Sequence, residues 1–416
     1  MQFAYSLGIL LYYGLIHCVA LWNPKAKSWI RGRKSWSHRL QEQVSDWPAD
    51  EKSVWVHCAS LGEFEQGRPL IEKLKAQNPE IRIILTFFSP SGYEIRKDYP
   101  LADLICYLPI DLPGAARKFV SLIRPDLVVF VKYEFWFNYL SVLRKQKIPH
   151  ILIAGLFRPG QHFFSWYGGW FRKALKGFSH FFVQDQVSAQ LLESVNVLDV
   201  KVVGDPRIDR VVTLVNSAPV FPEIDRFIQG RKALIVGSSW GPDEALLIPF
   251  FSKHLPKDWV MIVAPHDISK THLNQIDEQI TVPYFKYSEG ITDEKSTRLL
   301  LIDNIGMLSG LYRYGTLAYI GGGFGEGIHN TLEPLAFGLP VIFGPRYSKF
   351  REARDMIKGG GAKAIHDLEQ LEKAFKEFSN AALYSETTQL TQAYVNKNQG
   401  ASQKIYSWID SELKTE

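Results

Sequence analysis

"IGGGFGEGIHNTLEPLAFGLPVIFGP", residues Ile320 to Pro345, sets five glycines into Gly321–Gly327, follows them with His329-Asn330, and runs into a helical pattern carrying Glu333. Its placement decides the fold, because such a turn joins a strand to a helix start, where free backbone N–H groups face a ligand. A dinucleotide fingerprint would read G-x-G-x-x-G in the first βα turn of a domain, with an acidic residue about 20 positions on at the next strand end. Here the turn closes "TLAYIGGG" (316–323), late in a second series of apolar runs, and the next run, "PVIFGP" (340–345), ends with no acidic residue. That placement suits a mononucleotide with one phosphate. Helix-start N–H groups would hold the phosphate, and the nearby carboxylate of Glu333 would take ribose hydroxyls. A purely structural glycine turn is the alternative.

Working outward, short apolar runs alternate with stretches long enough for one helix each. The first series is "SVWVHCA" (53–59), "IRIILTFF" (81–88), "DLICYLP" (103–109), "DLVVFVK" (126–132), "HILIAG" (150–155) and "HFFVQD" (180–185). After a pause around "VVGDPRIDR" (202–210), a second series runs through "ALIVGSS" (233–239), "WVMIVAP" (259–265), "TRLLLID" (297–303) and the two runs above. Unbroken apolar runs separated by helices are the rhythm of a parallel α/β sheet. A chain of 416 residues, 46% hydrophobic, has room for two such domains. Ligands of doubly wound domains bind at the carboxyl ends of strands, so chemistry is expected just after each run.

The net charge of +5 is too small for bulk attraction to nucleic acid. The charge is concentrated, however: Lys25, Lys27, Arg31, Arg33, Lys34 and Arg39 stand without any Asp or Glu among them, directly after "FAYSLGILLYYGLIHCVALW" at Phe3–Trp22. That uncharged stretch has about the length that crosses a bilayer as a helix. A cleaved signal peptide, a membrane anchor and a buried or partner-facing helix compete for it. A signal peptide would carry its positive charge first, whereas charge on the far side keeps the following chain cytoplasmic. The expectation is a membrane-associated helix, spanning or lying in one leaflet. Cys18, Cys58 and Cys106 form no CxxC pair, so neither a disulfide framework nor a thiolate metal site is indicated.

Three stretches after strands of the first series carry candidate chemistry. In "HCASLGEFEQG" (57–67), Ser60-Leu-Gly-Glu63 fits a capping box, and Glu63 equally fits a general base at a ligand-facing helix start. Gly62 would allow close approach of a ligand, and His57 is either a polar group at the site or a hydrogen-bonded core histidine. In "TFFSPSGYE" (86–94), Ser89, Ser91 and Gly92 open a helix and suit either an anion site or an N-cap with proline in the first turn. "VKYEFWFN" (131–138) places Glu134, Trp136 and Asn138 together, for sugar binding or for packing.

At these residues the chain resembles the Kdo transferases of lipopolysaccharide assembly, which move 3-deoxy-D-manno-octulosonic acid from its CMP-activated form to a lipid A precursor. The resemblance covers nearly the whole chain: the apolar N-terminus followed by Arg31-Gly-Arg-Lys34, H-x-x-S-x-G-E at His57–Glu63, Ser89-Pro-Ser-Gly92, E-x-W-x-N at Glu134–Asn138, G-x-x-x-x-D at Gly204–Asp209, Gly321–Gly323 with His329-Asn330 and Glu333, Gly344-Pro345, and Asn398-Gln-Gly-Ala401. It implies a GT-B fold of two tandem Rossmann-like domains with a ligand cleft between them. The expected parts are an N-terminal membrane helix (1–24), an acceptor domain (25–210), a CMP-sugar donor domain (211–395) and a terminal helix returning to the acceptor domain (396–416).

By the same resemblance, Glu63 is the general base, the reaction inverts the anomeric carbon, and neither metal nor cofactor takes part, CMP-Kdo being a co-substrate. Arg207, His266, Gly322, Gly323, His329, Asn330 and Glu333 are the expected donor contacts. His57, Ser60, Gly62, Ser89, Ser91, Gly92 and Glu134 are the expected acceptor contacts. The implied partners are CMP-Kdo, a phosphorylated lipid A precursor and membrane lipid, with no nucleic acid, on the cytoplasmic side of the inner membrane. The chain departs from the family pattern at Pro265-His266-Asp267, where Pro-Arg-His is usual, at Ser238-Ser239-Trp240, where Ser-Thr-His is usual, and at Lys132-Tyr133-Glu134 with Phe137. A nucleoside-diphosphate-sugar transferase and a non-catalytic nucleotide or glycolipid binder are the competing readings, and an NAD-dependent oxidoreductase is the weakest.

Overall fold

Strand β1 (Ser53–Cys58) is buried at every position, which is why its sequence reads as a run and not an alternation. Val54, Val56 and Cys58 pack into one hydrophobic layer and Trp55 into the layer on the other face, so the strand has core on both sides. The computed structural model, which describes residues 1–48, 50–291 and 297–414, builds around it a parallel seven-stranded sheet. The other strands are β2 (Arg82–Phe87), β3 (Leu104–Tyr107), β4 (Leu127–Val131), β5 (His150–Gly155), β6 (His180–Val183) and β7 (Val200–Val202), and the order is β3-β2-β1-β4-β5-β6-β7. Order reverses at β1, whose neighbours are β2 and β4. The loops after these strands open there, where doubly wound sheets bind ligands.

A second parallel sheet contains β8 (Lys232–Ser239), β9 (Trp259–Pro265), β10 (Phe285–Lys286), β11 (Leu299–Leu301), β12 (Leu317–Ile320), β13 (Val341–Phe343) and β14 (Ala362–Ala364), in the order β10-β11-β9-β8-β12-β13-β14. Each sheet belongs to its own compact unit. One unit is Met1–Asp209 with the chain from Asn398 onward, and the other is Arg210–Lys397. The expected limits at 210 and 396 lie one and two residues away. The apolar runs read as strands are strands. Sequence reading passes over β7, β10 and β14, which are two or three residues long, lie at sheet edges and are only partly buried, so they leave no apolar run.

The C-terminal helix Ala401–Lys414 buries Ile405 and Ile409 in the first unit, stacks Trp408 on His180, and receives a hydrogen bond from Asn78 at Tyr406. Its start is held by Asp209, which accepts the backbone N–H of Gly400 and, at 2.6 Å, that of Ser402. Gly204 has φ +92, and a Cβ there would stand 3.1 Å from the Asn398 carbonyl. Thus the Gly204–Asp209 and Asn398–Ala401 motifs, nearly 200 residues apart, explain each other: one is the seat of the other.

Gln2–Val19 is a helix long and apolar enough to cross a membrane, and none of its residues is buried. Its polar face touches the first unit. Gln2 donates to Asn138 (3.1 Å), Tyr5 to Asp111 (2.7 Å), Asn138 to Ser6 (3.3 Å), and the Tyr13 ring lies against Trp29. Phe3, Leu7, Leu10, Leu11 and Leu15, on the opposite side, are exposed. One of the basic residues that follow is internal. Arg33 is buried, lies 3.8 Å over the Trp29 ring, and donates to the carbonyls of Leu108, Trp29 and Phe88; burial pushes its guanidinium down to about 9. It ties the basic helix Pro24–Arg33 to the loops that leave β2 and β3.

Replacing Asp209 by Ala leaves the Gly400 and Ser402 amides without their acceptor. Hydrogen bonds to a charged group contribute about 1.5–3 kcal/mol each, so an expected loss of roughly 3–6 kcal/mol for the two should lower the unfolding temperature and expose the terminal helix to proteolysis, as read by limited digestion.

Candidate active site

The first cluster sits where β1, β2 and β4 end. His57, the penultimate residue of β1, shares the Trp55 face and has no exposed surface. Its Nδ1 lies 2.8 Å from the Thr86 hydroxyl, which accepts Trp55 Nε1 (2.8 Å), and its Nε2 lies 3.2 Å from Glu134 Oε2. Trp136 Nε1 reaches the same carboxylate oxygen at 2.7 Å. With Thr86 donating to Nδ1, every group finds a partner if Nε2 carries the imidazole proton and gives it to Glu134. Glu134 is therefore gripped as an acceptor by two ring N–H groups. Trp55 and Thr86, which hold the histidine, carry no motif and were not legible as site residues.

Glu63 starts the helix Leu61–Gln77, where Ser60 is the N-cap and donates its backbone N–H to the Glu63 carboxylate (3.1 Å) in a capping box. The capping role and a catalytic role are therefore compatible. Burial pushes the Glu63 carboxyl up to about 7, and the negative charge of Glu134 adds to the rise, against hydrogen bonds from Ala59 and Ser60 and the charge of Lys132. A carboxylate poised near neutrality beside a second one is what proton abstraction from a hydroxyl at physiological pH requires.

The remaining expected acceptor residues divide. Gly62 is exposed in the first turn of that helix, with nothing nearer than the Ser60 hydroxyl at 4.0 Å from where a Cβ would be, so the surface at Gly62, next to Glu63 in the chain, is open. Ser89 and Ser91 share a hydroxyl hydrogen bond (2.7 Å), with Ser89 capping the helix Pro90–Arg96. Gly92 is a packing residue: a Cβ there would lie 2.3 Å from the Phe87 ring, so the close approach it permits is to the protein's own side chain. Asn138 likewise serves structure, bonding Asp111 and the N-terminal helix.

In the second unit the glycine turn follows β12. Gly321 packs on the backbone of Ser238–Ser239, and Gly323 on Gly344, each with less than 3 Å left for a Cβ. Gly322 adopts φ +89 and spends its N–H on Asp243 (2.9 Å). That amide is not available to a phosphate, which corrects the expectation placed on it. Asp243, buried near the start of the helix Gly241–Lys253, also accepts Trp240 N–H (3.0 Å) and the Tyr319 hydroxyl (2.8 Å), and so fastens the turn to the end of β8. The helix after the turn is only Leu332–Ala336, and its Leu332 N–H is taken by Asn330, whose amide group donates to Glu333 (2.9 Å). A long helix start offering free N–H groups is thus absent here.

The turn delivers rings and hydroxyls instead. His329 stacks on His266 (ring centres 4.3 Å apart), His266 stacks on Trp240 (4.7 Å), and Trp240 Nε1 donates to His329 Nε2 (2.9 Å). The two departures from the family pattern, Trp240 and His266, therefore meet. Burial and the neighbouring His266 pull His329 down to about 4, so it is neutral with Nδ1–H as its donor. The buried Thr331 hydroxyl, two residues on from His329, has no hydrogen-bond partner among the described residues. Trp240 and Thr331 are site residues that sequence reasoning did not select. Arg207 lies in the first unit, where its guanidinium bonds Asp205 (2.7 Å). Among the described residues no group of three or more His, Cys, Asp and Glu side chains is placed to hold a metal.

Two parallel-sheet Rossmann-like units with ligand-type loops at their strand ends define a GT-B fold, and the solved structure of UDP-GlcNAc 2-epimerase from Neisseria meningitidis shares it (TM-score 0.60, 16% identity, 88% of this chain and 100% of that one). Residues 34–210 match the profile of the family described as 3-deoxy-D-manno-octulosonic-acid transferase (kdotransferase). The chain is 25% identical over 387 residues to the transferase of that name from Chlamydia pneumoniae, covering 88% of this chain and 84% of its relative. It is 27% identical over 319 residues to the one from Aquifex aeolicus, covering 74% and 81%. The protein is a glycosyltransferase. Over most of its length it is similar to the Kdo transferases.

Two outcomes follow from the electrostatics. The folded protein binds a proton at Glu63 between the unfolded value near 4.5 and the folded value of about 7. The associated stability is present below 4.5 and lost as pH rises through 7, roughly 2–3 kcal/mol in all. Glu63→Gln does not undergo this loss, so its unfolding temperature should match the wild type near pH 4.5 and exceed it by a widening margin up to pH 8; a constant gap would contradict the assignment. Trp240→Phe keeps the stack and removes the donor to His329 Nε2, so the His329 titration followed by NMR should move up from about 4.

Proposed function

We propose that the protein transfers Kdo from CMP-Kdo to a phosphorylated lipid A precursor, with inversion, without a metal or cofactor, and with Glu63 as the general base. The observation that carries this reading is the pair Glu63 and Glu134 at the ends of β1 and β4, with Glu63 titrating near 7. Glu63 takes the proton of the acceptor hydroxyl as its oxygen attacks the anomeric carbon, and CMP leaves with the electrons of the C–O bond. Glu134, held by His57 and Trp136, adds its charge to the burial that keeps the base's proton affinity high. Ser60, Gly62, Ser89 and Ser91 are assigned to the acceptor.

For the donor, CMP asks for one phosphate, one ribose and one cytosine. We assign the phosphate to His329 Nδ1–H, Thr331 and the Arg346 guanidinium, which is bonded to the Gly325 carbonyl (2.6 Å), and the ribose to Asn330 and Glu333. The Trp240–His266 stack stands where the family has an arginine and gives a flat aromatic wall. The exposed apolar face of the helix Gln2–Val19, together with its polar contacts to the first unit, supports a helix lying in the cytoplasmic leaflet of the inner membrane.

The test is an assay of purified protein with CMP-Kdo and a tetraacylated lipid A precursor in the presence of a chelator, with the product weighed by mass spectrometry. Transfer is expected with the chelator present, and the mass counts the sugars added. Glu63→Gln should cut turnover by about 10²–10⁴-fold while CMP binding persists. No transfer, or transfer only with added divalent metal, would overturn the proposal.

A further inference from the structure

A pocket of about 200 Å³ opens beside the first turn of the N-terminal helix, away from the carboxylate pair, and no role described so far uses it. Two cations line it: Arg144, from the helix Phe137–Lys145, and Lys173, from the helix Gly169–Leu175. No Asp or Glu is on its wall, and among the described residues neither cation has an acidic partner. The wall between them is the stacked pair Phe137 and Trp170, whose ring centres are 4.2 Å apart. Gln2 closes one side, and at Gly177 the missing side chain keeps the floor open, since a Cβ there would stand 3.6 Å from His150 Nε2 and 3.9 Å from Arg144 Cδ.

Two uncompensated positive side chains around an aromatic wall call for an anion, and the surroundings say where it comes from. Phe3 and Leu7 stand exposed on the adjoining helix, and Trp166, 92% exposed, and the exposed Tyr167 precede the helix that carries Lys173. Amphipathic aromatic rings beside an exposed apolar helix face occupy the headgroup level of a bilayer. We infer that this pocket binds the phosphate of an anionic bilayer phospholipid, with Arg144 and Lys173 on the phosphate oxygens, Trp170 against the glycerol, and the acyl chains running along the exposed side of Gln2–Val19. The lipid would fix the orientation of the first unit on the membrane. This goes beyond the sugar-transfer reading and does not depend on which sugar is moved.

The test uses full-length protein in a non-ionic detergent and native mass spectrometry with short-chain phosphatidylglycerol, phosphatidylcholine, inorganic phosphate and the tetraacylated lipid A precursor as separate probes. One phosphatidylglycerol should bind per chain in preference to phosphatidylcholine. Arg144→Gln/Lys173→Gln should weaken it about tenfold or more, each cation supplying a charge-assisted contact. Arg144→Lys/Lys173→Arg should retain it, and unfolding temperatures of all three proteins check that folding is intact. Lys25→Gln/Lys27→Gln, which changes charge in the basic segment outside the pocket, should leave the one-lipid stoichiometry unchanged. Four results would each overturn the inference: equal binding of phosphatidylcholine, unchanged binding by the Gln double variant, displacement by inorganic phosphate at equal concentration, which makes this a free-anion site, or displacement by the lipid A precursor, which makes it part of the acceptor site. Failure here with transfer activity intact leaves the proposed reaction standing.

Discussion

A carboxyl in partly dehydrated surroundings beside another negative charge resists ionisation, and much of the first unit serves to put Glu63 in that position. Glu134 receives two ring N–H donors and stays an acceptor; Glu63 receives its own cap residue's N–H and is left with a proton affinity near neutrality. The line Trp55, Thr86, His57, Glu134 crosses β1, β2 and the loop after β4, so the parallel register of three strands is what aligns it. The same register places His57 opposite Thr86. Moving β2 by one residue would put a side chain of the other face there, and the histidine would lose its partner.

The second unit solves a different problem with similar means. Its glycine turn must approach two neighbouring backbones closely, and the buried Asp243 pins it by three hydrogen bonds. Burial pushes the Asp243 carboxyl up and those bonds work against the rise. What the turn presents is a column of three rings and an unsatisfied hydroxyl, without a run of free amides. A site of this kind suits flat groups and a single phosphate, in keeping with a nucleoside monophosphate leaving group.

The sequence was most legible where one physical requirement acts along a continuous stretch. Buried parallel strands need unbroken apolar runs, so the long strands stand out; β7, β10 and β14 need none and stay hidden. Glu63 could be found because a capping box and a strand end coincide in seven residues. The glycines of Gly321–Gly327 were conspicuous, yet their reason is packing, and the chemistry lies in His329 and Thr331 beside them. The ring column was illegible because Trp240, His266 and His329 come from three separate strand ends and no spacing rule connects them.

The central claim is that burial and the neighbouring charge of Glu134 together tune Glu63 as the proposed base, and the pH dependence of kcat/KM for Kdo transfer tests it most directly. In the wild type the rate should rise tenfold per pH unit and level off above about pH 7. Glu134→Gln removes the neighbouring charge and should shift that break to lower pH while lowering the plateau. A break that stays in place in Glu134→Gln, or a wild-type profile flat from pH 5 to 9, would contradict the account.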